Sequence, residues 1–256
     1  LPDENYLFEQ LDTVNVDAVC DAGDRLRLAL ARAHAESWLA LYEQNRPSGT
    51  FKPEPLDMAR RSLKHAALAF VATAAEPEAA ESLLGDHYDA ADNLTDRRGA
   101  LVQITRLAHI GSEFRQRVLN DFFSRWQHES LVVNLWFALQ AASPLSGVEQ
   151  LQELAAHPAF DAHNPNKLRA LYGSFGNQNH RNFHNQDGSG YRFLADAVID
   201  LDFTNPQVAA RLTTPLTRWR RYPANLQRLM RAELERIAGG DQLSADLYEV
   251  VTKSLA

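Results

Sequence analysis

Residues 24–42 read DRLRLALARAHAESWLALY, and the reading of this stretch decides the fold. Leu26, Leu28, Leu30, Trp38, Leu39 and Leu41 supply apolar positions, with the strong helix formers Ala and Arg between them. No Val/Ile/Thr-rich alternation competes for a strand here or elsewhere in the chain. The stretch therefore predicts a helix, and the same texture recurs. Residues 55–73 give a second helix. Residues 76–91 give a third, its middle weakened by Gly85. A fourth starts after Asn93, with Thr95 and Asp96 as alternative caps, and runs to Ile110.

Gly111-Ser112 breaks that helix, and Ser112 caps the next, which Glu113 opens. It carries Phe114, Val118, Leu119, Phe122, Phe123 and Trp126. Residues 131–142 and 148–156 follow as an apolar and a short helix, and 191–201 as a further one. Two starts share an Asn-Pro signature, Asn164-Pro165 and Asn205-Pro206. Asn caps the first turn, and proline at the first helical position has no N–H to leave unpaired. Pro215 lies inside the helix begun at Pro206 and predicts a kink, because it frees the carbonyl of Arg211. Tyr222-Pro223 ends that helix and starts another, which Gly239-Gly240 terminates. Ser244 caps the last, with Asp246 in its first turn. About a dozen helices of roughly 10–20 residues exclude a Rossmann or barrel fold, and short loops favour antiparallel neighbours. The expected class is all-α, an irregular α-solenoid or superhelix of antiparallel helix pairs, without a strict sequence repeat.

The composition is that of an ordinary soluble protein, 45% hydrophobic and 23% charged. The net charge of −7 is uneven. Residues 1–150 hold 22 acids against 14 bases, while 151–256 are close to neutral. An acidic surface of this kind repels nucleic acid, so no nucleic-acid partner is expected. No apolar run approaches the ~20 residues that span a bilayer, and no membrane partner is expected. Cys20 is the only cysteine, which excludes an internal disulfide and a cysteine zinc site and fits a reducing, cytoplasmic setting. The chain opens Leu1-Pro2. Removal of an initiator Met needs a small second residue, so Leu1 is expected to lie within a longer chain.

Candidate chemistry is sparse. His180 and His184 stand at i and i+4, a zinc-compatible spacing on a helix. Arg181 takes the place of the central Glu of a metalloprotease helix, the flanks 176–179 and 185–188 read as loop, and no third ligand is signalled. These are expected to be surface or loop-packing histidines. His128-Glu129 begins a zincin-like run that fails at Val132, where the second histidine is due. Gly188-Ser189-Gly190 lacks the Lys-Ser/Thr and the preceding strand of a phosphate loop and reads as a connector. Ser189 has no base partner. Phe122, Phe123, Trp126, Trp136 and Phe137 read as core, since base stacking would need basic neighbours. On the helix begun at Pro206, Val208, Leu212, Leu216 and Trp219 form one apolar stripe, and Gln207, Arg211 and Arg218 a polar flank.

His157-Pro158, Asn164-Pro165-Asn166, Gly188-Ser189-Gly190-Tyr191, the run 205–211 and Leu247-Tyr248-Glu249 resemble the extreme C-terminal helical domain of the bacterial aminopeptidase N family, zinc alanyl aminopeptidases of the gluzincin class. The resemblance covers the whole chain and is densest after residue 155. It implies a HEAT/armadillo-like superhelix. Residues 1–256 would be a single C-terminal domain, truncated at its N-terminus, of an enzyme that removes N-terminal residues from peptides. His-Glu-x-x-His is absent, so this chain is expected to hold no catalytic residue, no metal and no cofactor, and to be inactive alone. Zn, general base and α-amine-binding acids would lie upstream. The resemblance further implies that this part caps the catalytic chamber, limits access to it and helps hold the peptide through Arg169, Gln207 and Arg211. Its partners would be the upstream catalytic domain of the same polypeptide and peptide substrates. A free-standing α-solenoid protein-binding scaffold is the alternative reading.

Overall fold

The computed structural model describes residues 1–46, 49, 51–240 and 242–256. Among the described residues every regular element is helical. Among those residues no helix is long and apolar enough to cross a membrane. The chain divides into two compact units, Asp21–Arg125 (with Leu1) and Pro2–Cys20 with Trp126–Ala256.

In the first unit, the helix expected over 24–42 is two helices. Val16–Ala33 starts earlier than expected, and Ala35–Gln44 follows a break at His34, whose φ of −126° and ψ of 28° leave the helical region. Tertiary packing overrides the local pattern. Trp38 stacks on Phe70 with ring centroids 4.2 Å apart, and its indole N–H donates across the break to Leu30 O at 3.0 Å. Leu26 and Leu39 stay about half exposed, so the apolar count of this stretch overstates its buried face. Pro55–Ala74, Pro77–Asp89 and Leu94–Arg106 pack against one another in chain order. Gly85 does not interrupt its helix; its bare face receives the Phe114 ring. Asn93 caps as expected, accepting from Asp96 N at 2.9 Å. The helix it opens ends at Arg106 rather than Ile110. Leu68, Leu84, Leu101, Ile104 and Phe122 are fully buried.

In the second unit, Phe137, Leu151, Phe175, Phe183, Tyr191 and Leu194 form the core. Arg221 is a main tie between the N-terminal segment and this core. The Arg221 guanidinium donates to Glu9 Oε2 at 2.6 Å, Phe8 O at 2.8 Å and Leu11 O at 3.0 Å, while Val14 N donates to Arg221 O at 2.7 Å. Both Asn-Pro starts hold. Asn164 Oδ1 accepts from Asn166 N at 2.9 Å and Lys167 N at 3.4 Å, and Asn205 Oδ1 from Val208 N at 3.3 Å. Pro215 does more than kink its helix. Pro206–Leu212 stops, a short Thr214–Thr217 helix restarts with the proline in its first turn, and a 3-10 turn Trp219–Arg221 follows. The missing N–H and the ring's clash with the preceding turn account for the break. The stripe survives it: Leu212, Leu216 and Trp219 are buried, and the Trp219 indole donates to Ser254 O at 3.2 Å.

Asn164→Ala removes both cap bonds and is expected to cost ~1 kcal/mol. Thermal melts followed by circular dichroism should fall by about 2–4 °C. An unchanged melt would show that the cap carries no stability.

Candidate functional site

The three candidate contact residues lie on two neighbouring segments of the second unit. From its Asn164 cap the chain runs as α-helix over Pro165–Leu168, widens into a π turn over Arg169–Gly173, and returns to α-helix over Ser174–Gln178. Such π turns are rare and recur at functional sites, because the extra residue re-aims the side chains beside it. Arg169 opens the turn. It is exposed, and its guanidinium folds back to donate to Pro165 O at 3.1 Å and Asn166 Oδ1 at 2.6 Å.

The π turn packs against the Pro206–Leu212 helix. Leu212 comes up against Gly173, where a Cβ would stand in ordinary contact, 3.7 Å from both Arg169 Cβ and Leu212 Cδ2. Ala209 and Leu212 take the buried side of that helix, leaving Gln207 and Arg211 exposed one turn apart. Among the described residues neither the Gln207 nor the Arg211 side chain has a hydrogen-bond or ion-pair partner within this chain. The Arg211 fork is thus available to a carbonyl or carboxylate, which its paired donors match in geometry. Arg218, on the sequence flank with them, is committed elsewhere, 3.8 Å from Glu9 Oε1.

The histidine pair is not a surface feature. His180 is 8% and His184 5% exposed; of the flanks expected as loop, 176–178 belong to helix Ser174–Gln178, whereas 185–188 stays outside the helices as expected. His184 Nδ1 lies 2.8 Å from Tyr191 Oη, and its ring lies 4.2 Å from that of Tyr222. Burial drives the His184 pKa down to about 3 and also lowers that of His180, whose ring meets Phe8 edge-on at 4.8 Å. Loop appearance misled at 176–179 because Asn179, polar in sequence, is structural, as is its neighbour Asn182. The Asn179 amide donates to Ala141 O at 3.1 Å and Ser146 O at 2.9 Å, and the Asn182 amide to Pro144 O at 2.9 Å. His128 is exposed at the turn before the Ser130–Ala141 helix.

Gly188-Ser189-Gly190 is a helix start. Gly188 is the N-cap of Ser189–Asp202 with φ of 71°, in the left-handed region where glycine is favoured, and Asp187 Oδ1 accepts from Ser189 N at 2.8 Å. Sequence reasoning also passed over His65, His87 and Asp96, which the fold of the first unit gathers from three helices. Their spacing matches no motif. The one local hint is Gly99, against whose bare backbone the His65 ring lies.

A family model described as a domain of unknown function (DUF3458_C) with ARM repeats matches residues 1–256. Aminopeptidase N of Haemophilus influenzae is 39% identical over 256 residues, and that of Escherichia coli 38% identical over 257. Each alignment covers 100% of this chain and 29% of the relative. The chain therefore spans under a third of the length of these relatives. Among solved structures, Legionella pneumophila aminopeptidase A in complex with aspartic acid superposes with a TM-score of 0.88 at 29% identity, over 100% of this chain and 30% of that one.

Proposed function

The chain belongs to the DUF3458_C family of ARM-repeat domains, and we propose that it is the C-terminal helical domain of a cytoplasmic zinc aminopeptidase, which walls the catalytic chamber and holds the peptide beyond the scissile bond. The observation that carries this reading is the full-length match of the chain to 29% of aminopeptidase N. The catalytic zinc of such an enzyme does not fit the histidines the sequence singled out. His128 has Val132 where a second ligand is needed, and His184 turns its Nδ1 to Tyr191 within a buried aromatic cluster, with Arg181 between it and His180. The hydrolytic step is assigned upstream, and residues 1–256 alone are expected to be inactive.

The work assigned to this chain is binding. Arg211 donates from its guanidinium to a carbonyl or the terminal carboxylate of the peptide, Gln207 donates to and accepts from the peptide backbone, and Arg169 adds positive charge on the adjoining π turn. In support, Gln207 and Arg211 are exposed on the helix that the π turn touches.

Arg211→Ala in the complete enzyme is expected to lower kcat/KM for peptides by roughly ten- to a hundredfold, the equivalent of losing a charge-assisted bond worth ~1.5–3 kcal/mol. A single-residue chromogenic amide has nothing beyond the scissile bond for Arg211 to hold, so its turnover should be little changed. Parallel kinetics on the two substrates decide the matter. Equal losses would assign Arg211 a structural role and refute the peptide contact.

A further inference from the structure

In the first unit, three consecutive helices each bring one metal-ligating side chain to a common point. His65 sits on Pro55–Ala74, His87 in the last turn of Pro77–Asp89, and Asp96 in the first turn of Leu94–Arg106. One donor atom from each lies within 4.8 Å of the other two. His65 Nε2 is 2.7 Å from Asp96 Oδ1, and the two imidazole rings meet edge-on at 5.6 Å. The place of His65 depends on Gly99: a Cβ there would fall 2.7 Å from its Cδ2 and 2.8 Å from its Nε2.

A second observation points to a ligand. His87 is only 6% exposed, its Nδ1 faces Tyr42 Oη at 3.0 Å, and its buried Nε2 has no hydrogen-bond partner among the described residues. A buried imidazole with one nitrogen committed to an orienting hydrogen bond and the other unpaired is the arrangement of a metal-bound histidine and its supporting partner. A cavity of about 530 Å³ reaches the cluster, lined by the carboxylates Glu43, Asp86, Asp92 and Asp96 against the cations Arg46 and Lys64. That balance favours a cation.

We infer that His65, His87 and Asp96 form a binding site for a first-row divalent metal ion, Zn²⁺ above all, that staples three consecutive helices of this unit. Two imidazoles and one carboxylate are a donor set suited to Zn²⁺. The site goes against the sequence expectation that this chain holds no metal. Its resident competitor is Lys64, 3% exposed, with Nζ 2.8 Å from Asp96 Oδ1. The ion replaces that ammonium as the counter-charge of Asp96. Lys64 turns into the cavity toward its carboxylates, and the His65 proton moves from Nε2 to Nδ1. Bonds of ~2.0–2.1 Å place tetrahedral donors about 3.3 Å apart. His87 therefore moves inward, and His65 and Asp96 part slightly.

The test is titration of the metal-stripped chain with Zn²⁺ by calorimetry and with Co²⁺ by visible absorption. One equivalent should bind, with tetrahedral d–d bands for Co²⁺ and a higher melting temperature with Zn²⁺. His87→Ala should weaken binding by about 100-fold or more, as loss of a residue bonded to the ion exceeds the 10–100-fold cost of losing a residue that only supports a ligand. Lys64→Met should tighten it by about tenfold, because a like charge beside the ion is removed. Replacing the exposed His128 by alanine should change nothing. If His87→Ala does not fold, the ¹⁵N resonance of His87 Nε2 in the wild-type chain decides instead: a shift on adding Zn²⁺ supports ligation, and an unmoved resonance refutes it. Absence of saturable binding, indifference to His87→Ala, or weaker binding in Lys64→Met would overturn the site.

Discussion

Gly190→Ala is expected to cost about 3 kcal/mol or more, at the upper end of what one methyl group forced into a packed interior does. The added Cβ would lie 2.5 Å from Phe183 O, 2.6 Å from Asn182 O and 2.7 Å from Phe183 Cα. All three are backbone atoms, so no side chain can swing aside. Nor can the turn that carries them yield. Phe183 is fully buried, and Asn182 is tied to Pro144 O and to Asn179 Oδ1 at 2.9 and 2.8 Å. The Ser189–Asp202 helix would have to lift from this turn, and Tyr191, fully buried one residue on, would lift with it. Melting should fall by about 6–12 °C on the usual scaling for a chain of this size. Gly23 provides the control. It lies within the Val16–Ala33 helix with nothing inside 4 Å of an added Cβ. Gly23→Ala should therefore be neutral or stabilising by up to ~1 kcal/mol. Equal melting of the two variants would refute the close approach at Gly190.

That contrast between two glycines shows what is legible in a sequence of this kind. Asn164-Pro165 and Asn205-Pro206 could be read directly, because a cap and a first-turn proline act within three residues of each other. The all-helical class followed from periodicity, a local property summed over many residues. Gly190 could not be distinguished from Gly23 in the same way, since its constraint comes from a different turn. His34 broke a stretch whose composition favoured one helix, because Trp38 found Phe70. Gly176-Asn177-Gln178-Asn179 read as loop, yet Asn179 is 1% exposed and spends its amide on two carbonyls more than thirty residues away. Polar residues that satisfy buried backbone groups look like solvent-facing residues until the fold is known. Arg169, Gln207 and Arg211 could be singled out only through resemblance to a family. No spacing rule connects the π turn of Arg169 to the helix of Arg211. His65, His87 and Asp96 were invisible for the same reason, as each belongs to a different helix.

Acid is expected to destabilise the chain well above the carboxylate range, and two histidines should set the slope. His184 is held neutral by burial, with a pKa of about 3, and His87 likewise at about 4. In the unfolded chain both return to roughly 6.5. Between these limits the unfolded state binds the extra proton, so stability falls as pH falls. The contribution is fully present above pH ~6.5 and declines by about 1.4 kcal/mol per pH unit per histidine, toward pH 3 for His184 and pH 4 for His87. At pH 5 each should have removed ~2 kcal/mol, a large part of the 5–15 kcal/mol that ordinary domains possess. Asp96 adds a later loss. Burial opposes its ionisation, yet hydrogen bonds from His65, Lys64 and Asn93 hold its carboxyl well below the usual range, so its contribution disappears only below pH ~4. Urea midpoints in the presence of a chelator, from pH 7.5 down to 4.5, measure the slope. His184→Gln should lower stability at pH 7.5, because the bond to Tyr191 Oη is remade imperfectly. It should also flatten the fall between pH 6.5 and 4.5 by about 1.4 kcal/mol per unit, since a group that cannot titrate contributes nothing to the linkage. His87→Gln should flatten it in the same way through the other unit. If both variants keep the wild-type slope, neither histidine is buried neutral, and the acid response belongs to other groups, His180 and the carboxylates among them.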